Sequence, residues 1–527
     1  MPLIEVGIKN QDISREIECI KERVRDKSIS IIIPPSEFLA DERVFPFLGP
    51  LKVASELQAN GNSVHLLDLS GYSNFENIVE MYVEKSDVQI FGLTATTPQI
   101  PSAIKVRNKI KELRPDAQVI LGGPHATLTY AAKMHDEKLA RFGRGTFAFA
   151  QLQELFDKIV VGDGEKAVFV ALDDETKEQI VDADGLRSPL FIKRGELDSF
   201  PFPARDLIDL DSYHYTVDGL RAFSVIAQLG CPFECGFCGG RDSQSYRLAR
   251  TRGVENIIDE IELVVRKSIE GGNPFRAVMF YDDELNVVPK NLENLCIALI
   301  DLQDRLGMEM RFRGFVKSEL FTKEQARFMY QAGFRIILSG IESGSNKMLA
   351  AMRKRATTDI NSRCVELTRD AGLKFKALMS LGHPGESEDT VAESVEWVLK
   401  SNPDDVDWTI ITQYPGSPYY DHSIYVPEKN VWLYKEPKSG ANLWSRNVDF
   451  TKHAEYYKGI PGSYVAYVWT DFLTSEKLVQ LRDHAETLTR DRLGLGPIIA
   501  TPAVQLKHNG CNSLPSNVLR ESIRANI

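Results

Sequence analysis

The chain of 527 residues lacks several features that mark large classes of protein. Its longest apolar runs, such as SISIIIPP from Ser28, are far shorter than the ~20 residues that span a bilayer. Basic residues are not in excess, since 63 Lys and Arg stand against 74 Asp and Glu, a net charge of −11. The first residues show no basic segment followed by an apolar one, as a secretory signal would. We therefore expect a cytoplasmic protein without a membrane span and without a nucleic-acid partner.

Cysteine is also scarce, with seven residues in the chain, and a cytoplasmic protein rarely joins them as disulfides. Three of the seven lie in LGCPFECGFCGG (229–240), with the spacing C-x3-C-x2-C: Cys231, Cys235 and Cys238. A structural zinc ion would take a fourth Cys or His, and the next cysteine, Cys296, lies far along the chain in a helical pattern. Iron–sulfur clusters are held by thiolates, and three cysteines would leave one iron of a cubane open to an outside ligand. The spacing favours a cluster and leaves zinc open.

Short apolar runs alternate with helical segments from Ser28 onward. The runs are 28–35, 64–69, 88–93, 117–123 and 158–164. This alternation predicts a parallel sheet covered by helices on both faces. Several runs end in Gly, Pro or Thr, at the sheet edge where such folds bind ligands. We expect a polar arm over 1–27 and a Rossmann-like domain over 28–185.

A second series of six apolar runs begins near Ala222. The runs are 224–230, 277–284, 310–316, 335–343, 375–386 and 407–418, again separated by helical segments. Six such units predict a partial (β/α)6 barrel of the TIM type over 221–425, with its chemistry at the carboxyl ends of the strands. We expect a linker over 186–220 and a mostly helical C-terminal domain over 426–527, with a helix that begins after Thr474 as N-cap. The predicted fold class is α/β.

The motif CPFECGFC, at the end of the first strand of the barrel, resembles the signature of the radical S-adenosylmethionine enzymes. The resemblance covers about 222–420. It implies that the three cysteines hold a [4Fe–4S] cluster and that S-adenosylmethionine chelates the fourth iron. It also implies reductive cleavage of S-adenosylmethionine to a 5′-deoxyadenosyl radical, fed by a low-potential donor of the flavodoxin or ferredoxin type.

The later strand ends resemble the same family in the same order. They are FYDDELN, GIESGS, LGHPGES and YPGSPYY. The resemblance implies that S-adenosylmethionine is bound by Phe237, Asp282, Asp283, Glu342, Ser343, Gly382 and Tyr414. One departure is Leu229, which stands before GCPF where the family usually has Arg.

The first domain lacks G-x-G-x-x-G after its first apolar run, which argues against a dinucleotide site. Its segments LTATT (93–97), LGGPHAT (121–127) and VGDGE (161–165) resemble the cobalamin-binding subclass of the same family. The resemblance implies cobalamin contacts at Thr94, Thr96, Thr97, Gly122, Gly123, Pro124, His125 and Gly164. The D-x-H-x-x-G motif of the histidine-ligated cobalamin enzymes is absent, so no histidine from that loop is expected on cobalt.

These resemblances imply a cobalamin-dependent radical S-adenosylmethionine enzyme that methylates an unactivated carbon of a small molecule through methylcobalamin. Two alternatives remain: a cyclase or rearrangement enzyme like the anaerobic magnesium-protoporphyrin cyclase, and a sensor that binds the cofactors without turnover. Four residues near strand ends or on one side of a strand are candidates for contact with substrate: Tyr281, Arg311, Arg313 and Gln413.

Overall fold

The computed structural model describes residues 10–36, 42–454, 464–496 and 514–521. Its first sheet is built from short runs, rich in β-branched residues, that are largely buried, as a sheet covered on both faces requires. The parallel strands are β1 Ser28–Ile33, β2 Ser63–Asp68, β3 Ile90–Thr94, β4 Gln118–Gly122, β5 Lys158–Gly162 and β6 Ile180–Ala183. Their order is β2-β1-β3-β4-β5-β6. The chain reverses direction across the sheet between β1 and β3, which opens a crevice at the carboxyl ends of the strands.

Helices cover both faces of this sheet, with one hydrophobic core on each side. They are α1 Asn10–Val24, α2 Leu48–Ala59, α3 Phe75–Lys85, α4 Ile100–Leu113, α5 Pro124–Lys138, α6 Arg144–Leu155 and α7 Gly164–Leu172. One core takes apolar residues from α3, α4 and α6, and the other takes them from α1, α2 and α7. Arg23 of α1 donates to Asp173, just past α7, over 2.5 Å, so the first helix is tied to the domain.

The second sheet contains six parallel strands and confirms the predicted partial barrel. The strands of this region are β7 Thr216–Val217, β8 Leu220–Val225, β9 Gln228–Leu229, β10 Arg250–Thr251, β11 Ala277–Phe280, β12 Arg311–Phe315, β13 Phe334–Glu342, β14 Lys374–Leu381 and β15 Asp405–Ile410. The order is β15-β14-β13-β12-β11-β8, with β7 antiparallel at the edge. The pair β9–β10 is a separate small antiparallel sheet that brackets the cysteine loop.

The helices of the barrel follow the strands as the sequence pattern predicts. They are α8 Gln244–Arg247, α9 Val254–Glu270, α10 Pro289–Leu306, α11 Lys323–Ala332, α12 Asn346–Ala351, α13 Thr358–Asp370, α14 Glu388–Ser401 and α15 Pro418–Asp421. Short 3₁₀ turns lie at Thr97–Gln99, Leu197–Ser199, Arg205–Leu207, Leu210–Ser212, Ser318–Leu320 and Pro427–Lys429. No helix among the described residues is long and apolar enough to cross a lipid bilayer.

The prediction of a mostly helical C-terminal region is wrong for the residues that the structure describes. The region contains four antiparallel strands, one long helix and a last strand: β16 Ile424–Val426, β17 Val431–Lys435, β18 Asn442–Arg446, β19 Val468–Thr470, α16 Ser475–Arg492 and β20 Leu519–Glu521. Aromatic residues favour strands because they pack across neighbouring strands, and Trp444 lies directly opposite Trp469. Thr474 caps α16 by accepting from the backbone N–H of Lys477, as predicted.

The C-terminal region also packs against both larger sheets. Helix α16 covers β15, where the indole N–H of Trp408 donates to the hydroxyl of Thr489 over 3.0 Å. Strand β20 pairs antiparallel with β2 at the edge of the first sheet. The end of the chain therefore supports the two domains that precede it.

A buried ion pair joins the first domain to the barrel. Arg250 of β10 binds the carboxylate of Asp163, just after β5, through two hydrogen bonds of 2.5 and 3.0 Å. Arg250 is only 1% exposed, and its guanidinium also donates to the carbonyl of Ile192. This bidentate pair fixes the strand end of the first domain against the hairpin that brackets the cysteine loop.

We expect the Asp163→Asn variant to be destabilised by about 3 kcal/mol or more, because it leaves a buried guanidinium without its counter-charge. Urea denaturation followed by circular dichroism would measure the loss. The matched control is Glu293→Gln, which breaks an exposed pair with Lys290 and should cost less than about 1 kcal/mol. If the two variants lost the same free energy of unfolding, the buried Arg250 guanidinium would not need the Asp163 carboxylate for the stability of the fold.

Candidate active site and cofactor cavity

A cavity of about 420 Å³ lies between the first sheet and the mouth of the barrel. The ends of β3, β4 and β5 line one side of it, and the segment before the first cysteine, Leu229 and Gly230, lines the other. Six of the residues predicted for cobalamin lie in its wall: Thr94, Thr96, Gly122, Gly123, Pro124 and Gly164. The cavity is therefore bounded by both domains.

Glycine brings the backbone close to this cavity at the end of β4. Gly123 has φ +92°, and a Cβ atom there would lie 2.6 Å from the hydroxyl of Thr94. Gly49, in the first turn of α2, lines the same cavity, and a Cβ atom built on it meets nothing within 4 Å. Apolar side chains such as Leu93 and Val160 make up much of the remaining wall. A mostly apolar wall with a few hydroxyl groups suits a flat macrocycle with polar substituents, so these residues fit cobalamin.

Two residues predicted for cobalamin do not line this cavity. His125 and Thr97 are buried and bond to each other, with 3.0 Å between the imidazole Nδ1 and the hydroxyl oxygen. Burial lowers the pKa of His125 to about 3, so the ring is neutral. His125 and Thr127 lie on roughly opposite sides of α5, and only Thr127 lines the cavity.

Tight backbone packing shapes the cysteine loop. Gly230 has φ +80°, and a Cβ atom there would lie 2.3 Å from the carbonyl oxygen of Leu248. The N–H of Cys231 donates to the carbonyl of Tyr246 over 2.8 Å, and that of Gly236 donates to Met352 over 2.8 Å. The guanidinium of Arg241 donates to the carbonyl of Cys231 over 3.0 Å. These contacts hold the loop without using any thiol.

The buried thiols of Cys231 and Cys238 need a positive partner to ionise. Burial, with the neighbouring charges of Cys235 and Cys231, raises the pKa of Cys238 to about 12, although Arg241 opposes the shift. Burial also raises the pKa of Cys231. Bound metal deprotonates thiols outright, so this donor set fits an iron cluster. Among the described residues, no three His, Cys, Asp or Glu side chains lie together as a site for a single metal ion.

A buried polar network lies at the ends of β13 and β14, beside the cysteine loop. Glu342, with φ +66°, lies 3.3 Å from the ammonium of Lys354 and accepts from the hydroxyl of Ser380 over 2.8 Å. The imidazole Nε2 of His383 lies 2.8 Å from the same hydroxyl, and its ring stands 5.2 Å from the ring of Phe237. Glu342 and Phe237 were predicted from the sequence. Lys354 and Ser380 were not, since neither lies in a recognisable motif.

The two aspartates after β11 have different surroundings. Asp283 lines the cavity, whereas Asp282 is buried behind it. One carboxylate oxygen of Asp282 accepts the backbone N–H groups of Ala227 and Gln228, and the other has no hydrogen-bond partner among the described residues. Burial raises the pKa of Asp282 to about 8. Asp282 thus holds the segment that leads into the cysteine loop, and Asp283 is the one placed to meet a ligand.

We expect the Asp282→Asn variant to change how stability depends on pH. A carboxyl group whose pKa is raised on folding stabilises the fold fully below the unfolded pKa, about 3.9, and loses that contribution as pH rises to about 8. Wild-type stability relative to the variant should therefore fall by more than about 1 kcal/mol between pH 5 and pH 8. Urea denaturation at the two pH values would measure it. If the stability of wild type and variant changed with pH in the same way, the raised pKa of Asp282 would be contradicted. Asp301→Asn, on the exposed face of α10, is the control for the loss of one charge.

Three further residues predicted for S-adenosylmethionine do not line the cavity. Ser343 is fully buried, with its hydroxyl 2.9 Å from that of Ser394. Gly382 has φ +92° and donates its N–H to Glu386 over 2.5 Å. The ring of Tyr414 lies 6.5 Å from that of Phe450, on the side of the C-terminal region.

Of the four substrate candidates, Tyr281 alone lines the cavity, and it is 58% exposed. Arg311 begins β12, at the opposite end from the carboxyl edge, and its guanidinium lies 3.8 Å from Asp218. Arg313 stands over the ring of Tyr215 at 5.2 Å. Gln413 accepts a hydrogen bond from Arg144 over 2.8 Å, away from the cavity. Strand direction explains why Arg311 does not line the cavity, because the first residue of a parallel strand lies at the end opposite the carboxyl edge.

Comparison with known proteins identifies both domains. A family model described as Radical SAM superfamily matches residues 225–398, and one described as B12 binding domain matches residues 45–153. An uncharacterized methyltransferase of Pyrococcus horikoshii is 26% identical over 404 residues, which cover 75% of this chain and 83% of that protein. An anaerobic magnesium-protoporphyrin IX monomethyl ester cyclase of Rubrivivax gelatinosus is 24% identical over 386 residues, 69% of this chain and 64% of the cyclase.

Two solved structures share the fold. The radical S-adenosylmethionine methyltransferase TsrM from Kitasatospora setae, with cobalamin and a [4Fe–4S] cluster bound, matches with a TM-score of 0.57 at 17% identity, over 75% of this chain and 77% of that one. The cobalamin-dependent S-adenosylmethionine radical enzyme OxsB, with aqua-cobalamin bound, also matches with a TM-score of 0.57, at 14% identity, over 95% of this chain and 65% of that one. Each match covers at least 75% of this chain, which is more than either domain alone.

Proposed function

Because this chain belongs to the cobalamin-dependent radical S-adenosylmethionine enzymes, we propose that it transfers a methyl group to an unactivated carbon of a small molecule. Its cofactors are a [4Fe–4S] cluster, S-adenosylmethionine and cobalamin. When bound, the reduced cluster supplies the electron that cleaves S-adenosylmethionine, and cobalamin supplies a carrier for the methyl group.

The observation that carries this proposal is that one cavity is bounded by the cobalamin domain and by the strand ends of the barrel. Gly122 and Gly123 line it from the cobalamin domain, and Gly230 and Asp283 line it from the barrel. A methyl group handed from one cofactor to a substrate radical has to cross a short distance without meeting water. One cavity shared by the two domains provides the short distance.

The chain's own residues divide the remaining tasks. Cys231, Cys235 and Cys238 would hold the cluster. Glu342 and Lys354 form a buried, oppositely charged pair beside the loop, suited to orient the charged end of S-adenosylmethionine. Tyr281 would contact the substrate, since its exposed ring forms part of the cavity wall. A low-potential flavodoxin or ferredoxin would supply the electron.

A second candidate is radical cyclisation without net methylation. Two anaerobic magnesium-protoporphyrin IX monomethyl ester cyclases are among the relatives, and the one from Cereibacter sphaeroides is 26% identical over 382 residues. Methyltransferases are also among them, including a hopanoid C-3 methylase of Methylococcus capsulatus that is 24% identical over 388 residues. Methyl transfer is the proposal because the match to the uncharacterized methyltransferase of Pyrococcus horikoshii spans 83% of that protein, whereas the match to the cyclase of Rubrivivax gelatinosus spans 64% of the cyclase.

Product analysis under anaerobic conditions tests the proposal. The protein would be reconstituted with iron, sulfide and cobalamin, and given S-adenosylmethionine and a low-potential reductant. We expect both 5′-deoxyadenosine and S-adenosylhomocysteine. 5′-Deoxyadenosine without S-adenosylhomocysteine would favour the cyclase. Neither product, from protein with a full cluster and bound cobalamin, would contradict both enzymatic functions.

A further inference from the structure

A second cavity, of about 320 Å³, lies between α6 and the C-terminal sheet. It shares no lining residue with the cofactor cavity. Its wall combines the loop before α6, strands β16 and β17, and the segment 447–451. Pockets for small molecules begin at about 300 Å³, so a compact ligand would fit.

One wall of this second cavity is formed by a buried cation without a counter-charge. Arg144, the first residue of α6, is 9% exposed, and no carboxylate among the described residues lies within salt-bridge distance of it. The acidic groups around it are occupied elsewhere. Asp449 lines the same cavity, and its carboxylate pairs with Lys452 at 2.9 Å. Asp136 pairs with Arg141 at 2.8 Å, and Asp421 accepts the N–H of Gly416 at 3.1 Å. An unpaired buried charge is costly, and an anionic ligand would offset that cost.

Aromatic rings surround this guanidinium. Its central carbon lies 3.6 Å from the ring centroid of Tyr420 and 5.1 Å from that of Trp432, within cation–π distance. The rings hold the cation in place and leave its charge unneutralised. Its planar fork of N–H donors matches a carboxylate or a phosphate.

A buried amide beside Arg144 also lacks an acceptor. Gln413 is 2% exposed, and its oxygen accepts from Arg144 over 2.8 Å and from the hydroxyl of Ser445 over 2.7 Å. Its Nε2 has no hydrogen-bond partner among the described residues. The guanidinium and this amide nitrogen are therefore neighbouring donors, and both would gain from an added acceptor.

The rim of the cavity is apolar and exposed. Phe142 is 79% exposed and Phe147 is 56% exposed, and Tyr425 adds a third partly exposed ring. Large exposed aromatics that surround a cavity mark a binding surface rather than a core.

We propose that this second cavity binds a small molecule that carries one anionic group on an aromatic or apolar body. The anion would contact Arg144, and the apolar body would lie among Phe142, Phe147 and Tyr425. The site is separate from the cofactor cavity, so the inference does not depend on the proposed methyl transfer.

A matched pair of probes tests the charge requirement. Isothermal titration calorimetry would compare 1-naphthylacetate with the neutral 1-naphthylacetamide, with 1-naphthyl phosphate as a second anion. The protein would be loaded with cluster and cobalamin and saturated with S-adenosylmethionine, so that the first cavity is occupied. We expect at least one anion to bind about tenfold or more tightly than the amide. Equal affinities, or no binding of any probe, would overturn the proposal.

Two variants locate the binding. Arg144→Gln should remove the preference for the anion and leave the affinity for the amide within about twofold. Phe147→Ser should weaken the anions and the amide by the same factor. Because Phe147 is exposed, this variant stays informative if Arg144→Gln does not fold. The matched control is Phe472→Ser, which removes a 65% exposed ring outside the cavity and should change nothing. An unchanged preference in Arg144→Gln, or an unchanged affinity in Phe147→Ser, would overturn the assignment.

Discussion

Replacing any one of Cys231, Cys235 and Cys238 with Ala should reduce bound iron and bring 5′-deoxyadenosine formation below detection. Three thiolates are the whole protein ligand set in the proposed site, so the loss of one leaves a second iron without a protein ligand. The fold should survive, because backbone bonds from Cys231, Gly236 and Arg241 hold the loop. Iron and sulfide analysis, with product quantification, would measure the effect.

The same chain provides the control for this experiment. Cys19 is exposed on α1, far along the chain from the loop, and Cys19→Ser should keep full iron content and product yield. Thermal unfolding would show that each alanine variant is folded. An alanine variant with four irons per chain and normal product would exclude the triad as the cluster ligands.

The Gly49→Leu variant should lose cobalamin while keeping its fold. Gly49 lines the cavity, and a Cβ atom there has no neighbour within 4 Å, so we expect a longer side chain to take up cavity space. Leucine also favours a helix over glycine by about 0.5–1 kcal/mol, so α2 should not be weakened. Steric overlap that costs about 1.4 kcal/mol already weakens binding tenfold, and we expect at least that loss.

Cobalt analysis and visible absorption of the reconstituted protein would measure the bound cobalamin. Gly49→Ala is the matched control, because one methyl group leaves most of the cavity open, and it should retain near-normal occupancy. Full cobalamin occupancy in Gly49→Leu, with an unchanged unfolding temperature, would place the corrin outside this cavity.

Regular patterns in the sequence predicted the large elements well. Ile257, Ile261 and Val264, spaced three or four residues apart, share the buried face of α9, and Thr474 caps α16. Both follow from local rules that need no knowledge of the rest of the chain. The C-terminal region departed from prediction because its strands are short and their pairing depends on contacts between segments distant in sequence, such as Trp444 with Trp469.

Single side chains at the site were harder to predict. Asp282 and Asp283 are neighbours in sequence, yet one carboxylate supports the backbone and the other reaches the cavity. Successive residues at the end of a strand face opposite sides, and a motif match does not say which side is open. Lys354 and the Asp163–Arg250 pair were missed because their partners come from other elements. Glycine and threonine near strand ends were more informative, since five such positions predicted for cobalamin line the cavity, as does Pro124.

The most direct test of the shared cavity measures the magnetic interaction between the two cofactors. Protein loaded with both cob(II)alamin and the reduced [4Fe–4S] cluster would be examined by electron paramagnetic resonance, beside samples that carry only one of the two. If the two cofactors face each other across the cavity, their spins interact, and the spectrum of the doubly loaded protein should be broadened and relax faster than the sum of the single spectra. A doubly loaded spectrum equal to that sum would contradict the account, because it would place the two cofactors too far apart to act on one substrate.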